Sequence, residues 1–97
     1  MNKRFMQAAI EQAILAAQKG EVPIGAVVVK DGKILAAEHN RCEQRKDPAA
    51  HAELLAIQSA CRAVGDFRLT GAALYVTLEP CPMCAGAAVN ARLSEIV

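Results

Sequence analysis

Phe5, Met6, Ala9, Ile10, Ala13, Ile14 and Ala17 recur at three- and four-residue spacing, with Lys3, Gln7, Glu11 and Lys19 off that face. This period predicts an amphipathic helix that covers one face of a sheet, and Gly20 stands where a C-terminal cap belongs. Residues 24–30 then form an apolar, β-branched run, followed by Asp31-Gly32 and a second run over residues 33–37. An Asp-Gly pair between two such runs predicts a β-hairpin. Pro23 suits the start of the first strand, where no ladder donor is needed. Gly25 inside that strand signals either a close backbone approach, for instance to a ligand, or a bulge.

Residues 38–46 are polar and read as loop. Asp47-Pro48 predicts the start of a second helix, Asp as N-cap and Pro at the first helical position. Leu54, Ile57, Cys61 and Val64 form its apolar stripe, and Gly65 ends it. Residues 72–78 read as a third strand, and Pro80 as the opening of a third helix. The small residues Ala85, Gly86, Ala87 and Ala88 would let that helix approach its neighbours closely. Residues 95–97 read as the beginning of a fourth strand. The order α-β-β-α-β-α-β predicts an α/β fold, a three-layer α-β-α sandwich around one mixed sheet. The second and third helices would start at the same end of that sheet, where α/β proteins place their sites.

Composition narrows the class. The chain of 97 residues reads as one small domain, residues 1–97, with a modest core that a metal or a partner subunit would help. It is 54% hydrophobic and 3% aromatic, which suits a tightly packed α/β layer and not a disordered chain. A net charge of +1 argues neither for nor against a nucleic-acid partner. Arg41, Arg45 and Lys46 cluster in the polar loop, but Glu43 and Asp47 offset most of their charge, so the default is a solvated surface. The charged start at Asn2-Lys3-Arg4 is not followed by an uninterrupted apolar run, and no stretch reaches the roughly 18 apolar residues of a membrane helix. With no secretory signal, the four cysteines point to metal binding in the cytoplasm and not to disulfides.

The chemistry concentrates in two stretches, Asp47-Pro48-Ala49-Ala50-His51-Ala52-Glu53 and Thr77-Leu78-Glu79-Pro80-Cys81-Pro82-Met83-Cys84. H-x-E together with P-C-x-x-C is the signature of the zinc nucleobase deaminases. His51, Cys81 and Cys84 supply three ligands, one fewer than the four zinc prefers, which leaves a position for water in a catalytic site. Cys81 and Cys84, three apart at a helix start, share one face, and the amides there favour thiolates. His51 and Glu53 in a first turn lie about 200° apart around the axis, so both reach one point only near the helix end. Cys61 is excluded as a fourth ligand because about ten residues of helix, roughly 15 Å, separate it from His51. A buried, inert thiol is its expected state. Cys42, and more remotely His39, would close a structural site instead, and the noncatalytic zinc-binding alternative rests on them. Glu53 favours catalysis, because a structural site has no use for an unliganded carboxylate beside its histidine, whereas a hydrolytic site needs a base. Asn40 offers a donor and an acceptor, though a loop Asn is also an ordinary turn residue.

With these residues the chain resembles the cytidine deaminase superfamily and, more narrowly, the bacterial tRNA-specific adenosine deaminases. The resemblance is densest over residues 21–27, Asn40-Arg41, residues 47–57 and residues 67–87. A histidine at position 51, in place of a third cysteine, separates the chain from the small cytidine deaminases. The resemblance implies a zinc-dependent hydrolase that converts the wobble adenosine of tRNA to inosine. It implies one Zn(2+) per subunit on His51, Cys81 and Cys84, with Glu53 as proton shuttle. Asn40 would contact a flipped-out nucleoside, and the backbone around Ala52 and Pro80 would hold the base or the activated water. It further implies a homodimer that grips the anticodon arm, and strands and helices beyond Val97, so that residues 1–97 would be a domain incomplete at its C-terminus, with the metal chemistry present and part of the substrate-binding wall missing. A free-base deaminase acting on guanine or cytosine carries the same H-A-E and P-C-P-M-C stretches and is the enzymatic alternative. A noncatalytic accessory subunit is the other.

Overall fold

The computed structural model describes residues 2–97. Its centre is a four-stranded sheet in the order β2-β1-β3-β4, with β1 at Gly25–Lys30, β2 at Lys33–His39, β3 at Ala73–Val76 and β4 at Glu95–Ile96. β1 is antiparallel to both β2 and β3, while β3 and β4 run parallel, so the sheet is mixed as the element order predicts. Asp31 and Gly32 turn the hairpin with φ of 53° and 74°, the left-handed pair that matches the twist of the flanking strands. The bulge lies between Val28 and Val29 and not at Gly25.

Alternation along the strands divides the core in two. Val27, Val29 and Tyr75 face Phe5 and Ala9 of α1 (Lys3–Gln18), where the Phe5 and Tyr75 rings meet edge to face at 5.6 Å. Ala26, Val28, Leu74 and Val76 face the opposite layer, formed by α3 (Ala52–Val64) and α4 (Pro82–Asn90). This is the three-layer α-β-α sandwich. α1 ends in a Schellman motif: Gly20 donates to the Ala17 carbonyl and Glu21 to that of Ala16.

Gly25 exists for α1. A Cβ there would collide with the Ala9 carbonyl, and would lie 2.5 Å from the Ala13 nitrogen and 2.8 Å from the Gln12 Cβ. The close approach is therefore to a helix backbone, not to a ligand. Because backbone cannot step aside as a side-chain tip does, Gly25→Ala is expected to destabilise the chain by about 1–3 kcal/mol. That corresponds to a Tm lower by on the order of 10 °C in a domain of this size. An unchanged Tm would show that α1 is not seated on β1 in this way.

Three boundaries depart from the sequence expectation, and all three bear on the site. The polar stretch of residues 38–46 is not simply loop: β2 runs to His39, and a short helix α2 forms at Cys42–Arg45, ended by Lys46 with φ of 51°. Asp47-Pro48 does not open the second long helix. The Asp47 carboxylate instead accepts from the Ala49 amide at 2.9 Å, an Asx turn that uses the same side-chain geometry an N-cap would. The helix begins at Ala52 with His51 as its N-cap. Likewise Pro80 does not start the next helix. Pro82 does, at its first turn, and Cys81 is the N-cap.

Candidate metal centre

His51 and Cys81 are the residues immediately before α3 and α4, in extended conformations (φ/ψ of −78°/147° and −70°/168°). Neither supplies the side-chain oxygen that usually caps a helix. The α3 start is placed by β2 and the Asx turn: the Arg41 amide donates to the Ala50 carbonyl at 2.9 Å, next to His51. The α4 start is placed by β3. Past its last residue the ladder continues, with the Thr77 amide donating to the Gly25 carbonyl and the Gly25 amide to Thr77 Oγ1, each at 3.1 Å. The chain then needs only Leu78 to Pro80 to reach Cys81.

The two helix starts bring His51, Cys81 and Cys84 together, with their ligand atoms all within 4.8 Å of one another. His51 Nδ1 lies 3.6 Å from each sulfur. In a tetrahedral zinc centre, with Zn–S near 2.3 Å and Zn–N near 2.0–2.1 Å, the N···S edge is about 3.6 Å. The donors are thus spaced as such an ion would need. Cys42 and His39 lie outside this group. Cys42 Sγ accepts from Asn40 Nδ2 at 3.8 Å, and the His39 ring is buried between Lys19 Nζ and the Asn40 carbonyl. Cys61 is half-buried, with its thiol on the Phe67 carbonyl and its pKa raised by burial, as an unreactive thiol should be.

The two sulfurs differ electrostatically. The Cys84 and Met83 amides at the start of α4 point at Cys81 and, against the smaller effect of burial, hold its thiol below the ordinary value. Cys84 is fully buried, and burial, the Glu53 carboxylate and Cys81 together push its pKa up to about 12, with the Leu54 amide opposing. Two sulfurs and a carboxylate crowded in low dielectric ask for a cation, and a bound dication would reverse the logic by deprotonating its thiol ligands outright.

Two buried side-chain oxygens have no hydrogen-bond partner among the described residues: Glu53 Oε1 and Asn40 Oδ1. Glu53 is 3% exposed and Asn40 4%. Unpaired buried polar atoms are costly, and where they persist they mark a site held ready for something the fold itself does not provide. Ala52 is buried directly behind His51, and Pro80 is half-buried beside Cys81. Sequence reasoning missed Glu21, a buried carboxylate that reads in the sequence as one more polar residue after a helix. No spacing rule would have singled it out.

Among the described residues no helix is long and apolar enough to cross a membrane. A family model, MafB19-like deaminase, matches residues 1–97. The chain is 56% identical over 93 residues to a tRNA-specific adenosine deaminase of Bacillus subtilis, covering 96% of this chain and 58% of that protein. With the tRNA-specific adenosine deaminase of Aquifex aeolicus the identity is 50%, over 96% and 62% of the two chains. The chain thus spans about three fifths of the length of these relatives. A structure from a study of A-to-I editing by tRNA:A34 deaminases superposes with a TM-score of 0.95 at 48% identity, over 98% of this chain and 69% of the other. A guanine deaminase from Bacillus subtilis superposes with a TM-score of 0.94 at 42% identity, over 99% and 62%. Its sandwich is the cytidine deaminase-like fold, and the chain belongs to the MafB19-like deaminase family.

Proposed function

We propose that this chain is the metal-bearing part of a zinc-dependent hydrolase that deaminates the wobble adenosine of tRNA to inosine. The observation that carries this reading is the buried Glu53 carboxylate, with Oε1 unpaired among the described residues, beside the His51, Cys81 and Cys84 cluster. Three donors at zinc-like spacing leave a fourth position open, and a base stands next to it. The relatives named as tRNA deaminases, at 50–56% identity, supply the substrate class.

In this reading His51 Nδ1, Cys81 Sγ and Cys84 Sγ hold one zinc ion per subunit. When bound, zinc supplies the Lewis acidity that makes water a competent nucleophile near pH 7. Glu53 takes the proton that water gives up and delivers it to the ring nitrogen beside the carbon bearing the amine. The water oxygen bonds to that carbon; as the carbon–nitrogen bond breaks, the same carboxylate takes the second proton from the attacking oxygen and passes it to the departing amine, so water and adenosine become inosine and ammonia. Asn40, with its free Oδ1, contacts the flipped-out nucleoside. The backbone at Ala52 and Pro80 borders the base. A homodimer gripping the anticodon arm, in the cytoplasm where tRNA is processed, completes the proposal. The free-base reading is favoured by one observation, the close superposition on a guanine deaminase.

The deciding assay incubates zinc-loaded protein with an anticodon-arm RNA carrying a wobble adenosine and, separately, with guanine, and identifies the products by mass spectrometry. Inosine from the RNA and no xanthine from guanine is the expected result. Xanthine without inosine would overturn the tRNA reading in favour of a free-base deaminase. Neither product, from a chain extended to the length of its relatives, would overturn both.

A further inference from the structure

Glu21 follows the Schellman end of α1, and its carboxylate faces across to a different element. One oxygen accepts from the Glu43 amide at 2.9 Å and the other from the Gln44 amide at 2.7 Å. These are the second and third residues of α2, the amides left without intrahelical partners at any helix start. The N-cap residue itself, Arg41, makes no side-chain cap bond. A four-residue helix cannot hold itself, since nucleation fixes several residues for a single hydrogen bond. Glu21 therefore replaces the missing cap from outside, with both oxygens in charge-assisted bonds and only 5% of the residue exposed.

What this cap stabilises is the arch from β2 to the α3 start, and Asn40 stands at its foot. The Asn40 amide donates to the Ile24 carbonyl at 3.1 Å, and the next amide, Arg41, to the Ala50 carbonyl at 2.9 Å. The Asn40 carbonyl accepts from His39 Nδ1 at 2.8 Å, which leaves Nε2 to accept from Lys19 Nζ at 3.4 Å. Lys19 and Glu21, two residues apart, thus grip the arch on either side of Asn40. The Asn40 amide group touches Cys42 of α2 through Nδ2, so the orientation of that side chain depends on where α2 sits.

We propose that Glu21 is a positioning residue: by capping α2 it fixes the Asn40 side chain with Oδ1 free for the substrate. The proposal rests on the reading of Asn40 as a substrate contact. It is tested in the zinc-loaded full chain with Glu21→Ala, Glu21→Gln, Asn40→Ala and the double variant Glu21→Ala/Asn40→Ala. By nuclear magnetic resonance, the Asn40 side-chain amide pair, assigned by its loss in Asn40→Ala, shifts and broadens in Glu21→Ala. The Glu43 and Gln44 amides lose exchange protection, while the His51 ring signals and zinc content stay unchanged. Glu21→Gln keeps one acceptor oxygen in the same shape, gives an intermediate shift, and carries the test if the alanine variant fails to fold. In the deamination assay Glu21→Ala lowers kcat/KM on the order of 10- to 100-fold, the scale of a small misplacement at a site. The double variant is no worse than Asn40→Ala within about twofold, as expected for two residues acting through one contact. An unmoved Asn40 amide pair, or effects that multiply in the double variant, would overturn the proposal. An unmutated chain that is inactive even when extended to the length of its relatives would overturn the deaminase reading instead, and the resonance measurement would still decide the role of Glu21.

Discussion

Glu53→Gln should abolish turnover while leaving the metal in place. Glutamine has the same shape and cannot take a proton, so the substitution removes the base and little else. A positioned acid–base group contributes typically 10²- to 10⁴-fold. In the proposed mechanism one carboxylate handles the protons of both the attacking water and the departing amine, so a loss of at least about 10³-fold in inosine formation is expected. Stability should move the other way. Glu53 is buried with Oε1 unpaired, and its charge opposes ionisation of Cys84. A neutral amide is less costly to bury than a carboxylate with an unpaired oxygen, so the Tm of metal-free Glu53→Gln should equal or exceed that of the unmutated chain. Single-turnover kinetics, elemental analysis for zinc and a thermal melt check the three parts. Loss of zinc from the variant would make Glu53 a ligand, and retention of more than about a tenth of the activity would remove it from the proton path.

What could be read from the sequence divides along physical lines. The helix of α1, the Asp31-Gly32 hairpin, the mixed sheet and the approach of His51 to Cys81 and Cys84 all follow from local period, turn chemistry and ligand type. Each is a decision made within a few residues, or a pairing that one kind of chemistry demands. The helix starts were misplaced because their signals are ambiguous. Asp47 and Pro48 stabilise an Asx turn as readily as a helix cap, and of the two prolines flanking Cys81 only the second lies in the helix. The outcome matters, since it makes His51 and Cys81 caps whose side chains project from the helix ends and not from the lateral faces. That geometry resolves the about 200° separation that two residues of one helix turn would have imposed on His51 and Glu53. Glu21 was illegible for another reason. Its partners Glu43 and Gln44 are distant in sequence and are engaged through backbone amides, which leave no trace in side-chain identity.

Removing the metal should have the largest effect on stability. The three candidate ligands lie at the starts of α3 and α4, and α4 packs principally against α3 in the layer they share. A zinc ion there would be a cross-link between two helices of a small domain, and without it Cys84 would be a buried neutral thiol and the α4 start would lack that anchor. With free zinc held about 1,000-fold above its Kd, binding to the folded state alone stabilises by about 4 kcal/mol. For a domain of this size that corresponds to a Tm difference of roughly 15–30 °C between zinc-loaded and chelated protein. Cys84→Ser should abolish stoichiometric zinc and bring the melt close to that of the chelated chain, whereas Cys42→Ser, outside the cluster, should change neither. Calorimetry with and without chelator, alongside zinc analysis of both variants, gives the comparison. Equal melting temperatures with and without zinc would mean that the three donors do not hold a metal. Zinc lost on Cys42→Ser would mean a fourth protein ligand, and a closed site of that kind has no place for the water that Glu53 would activate.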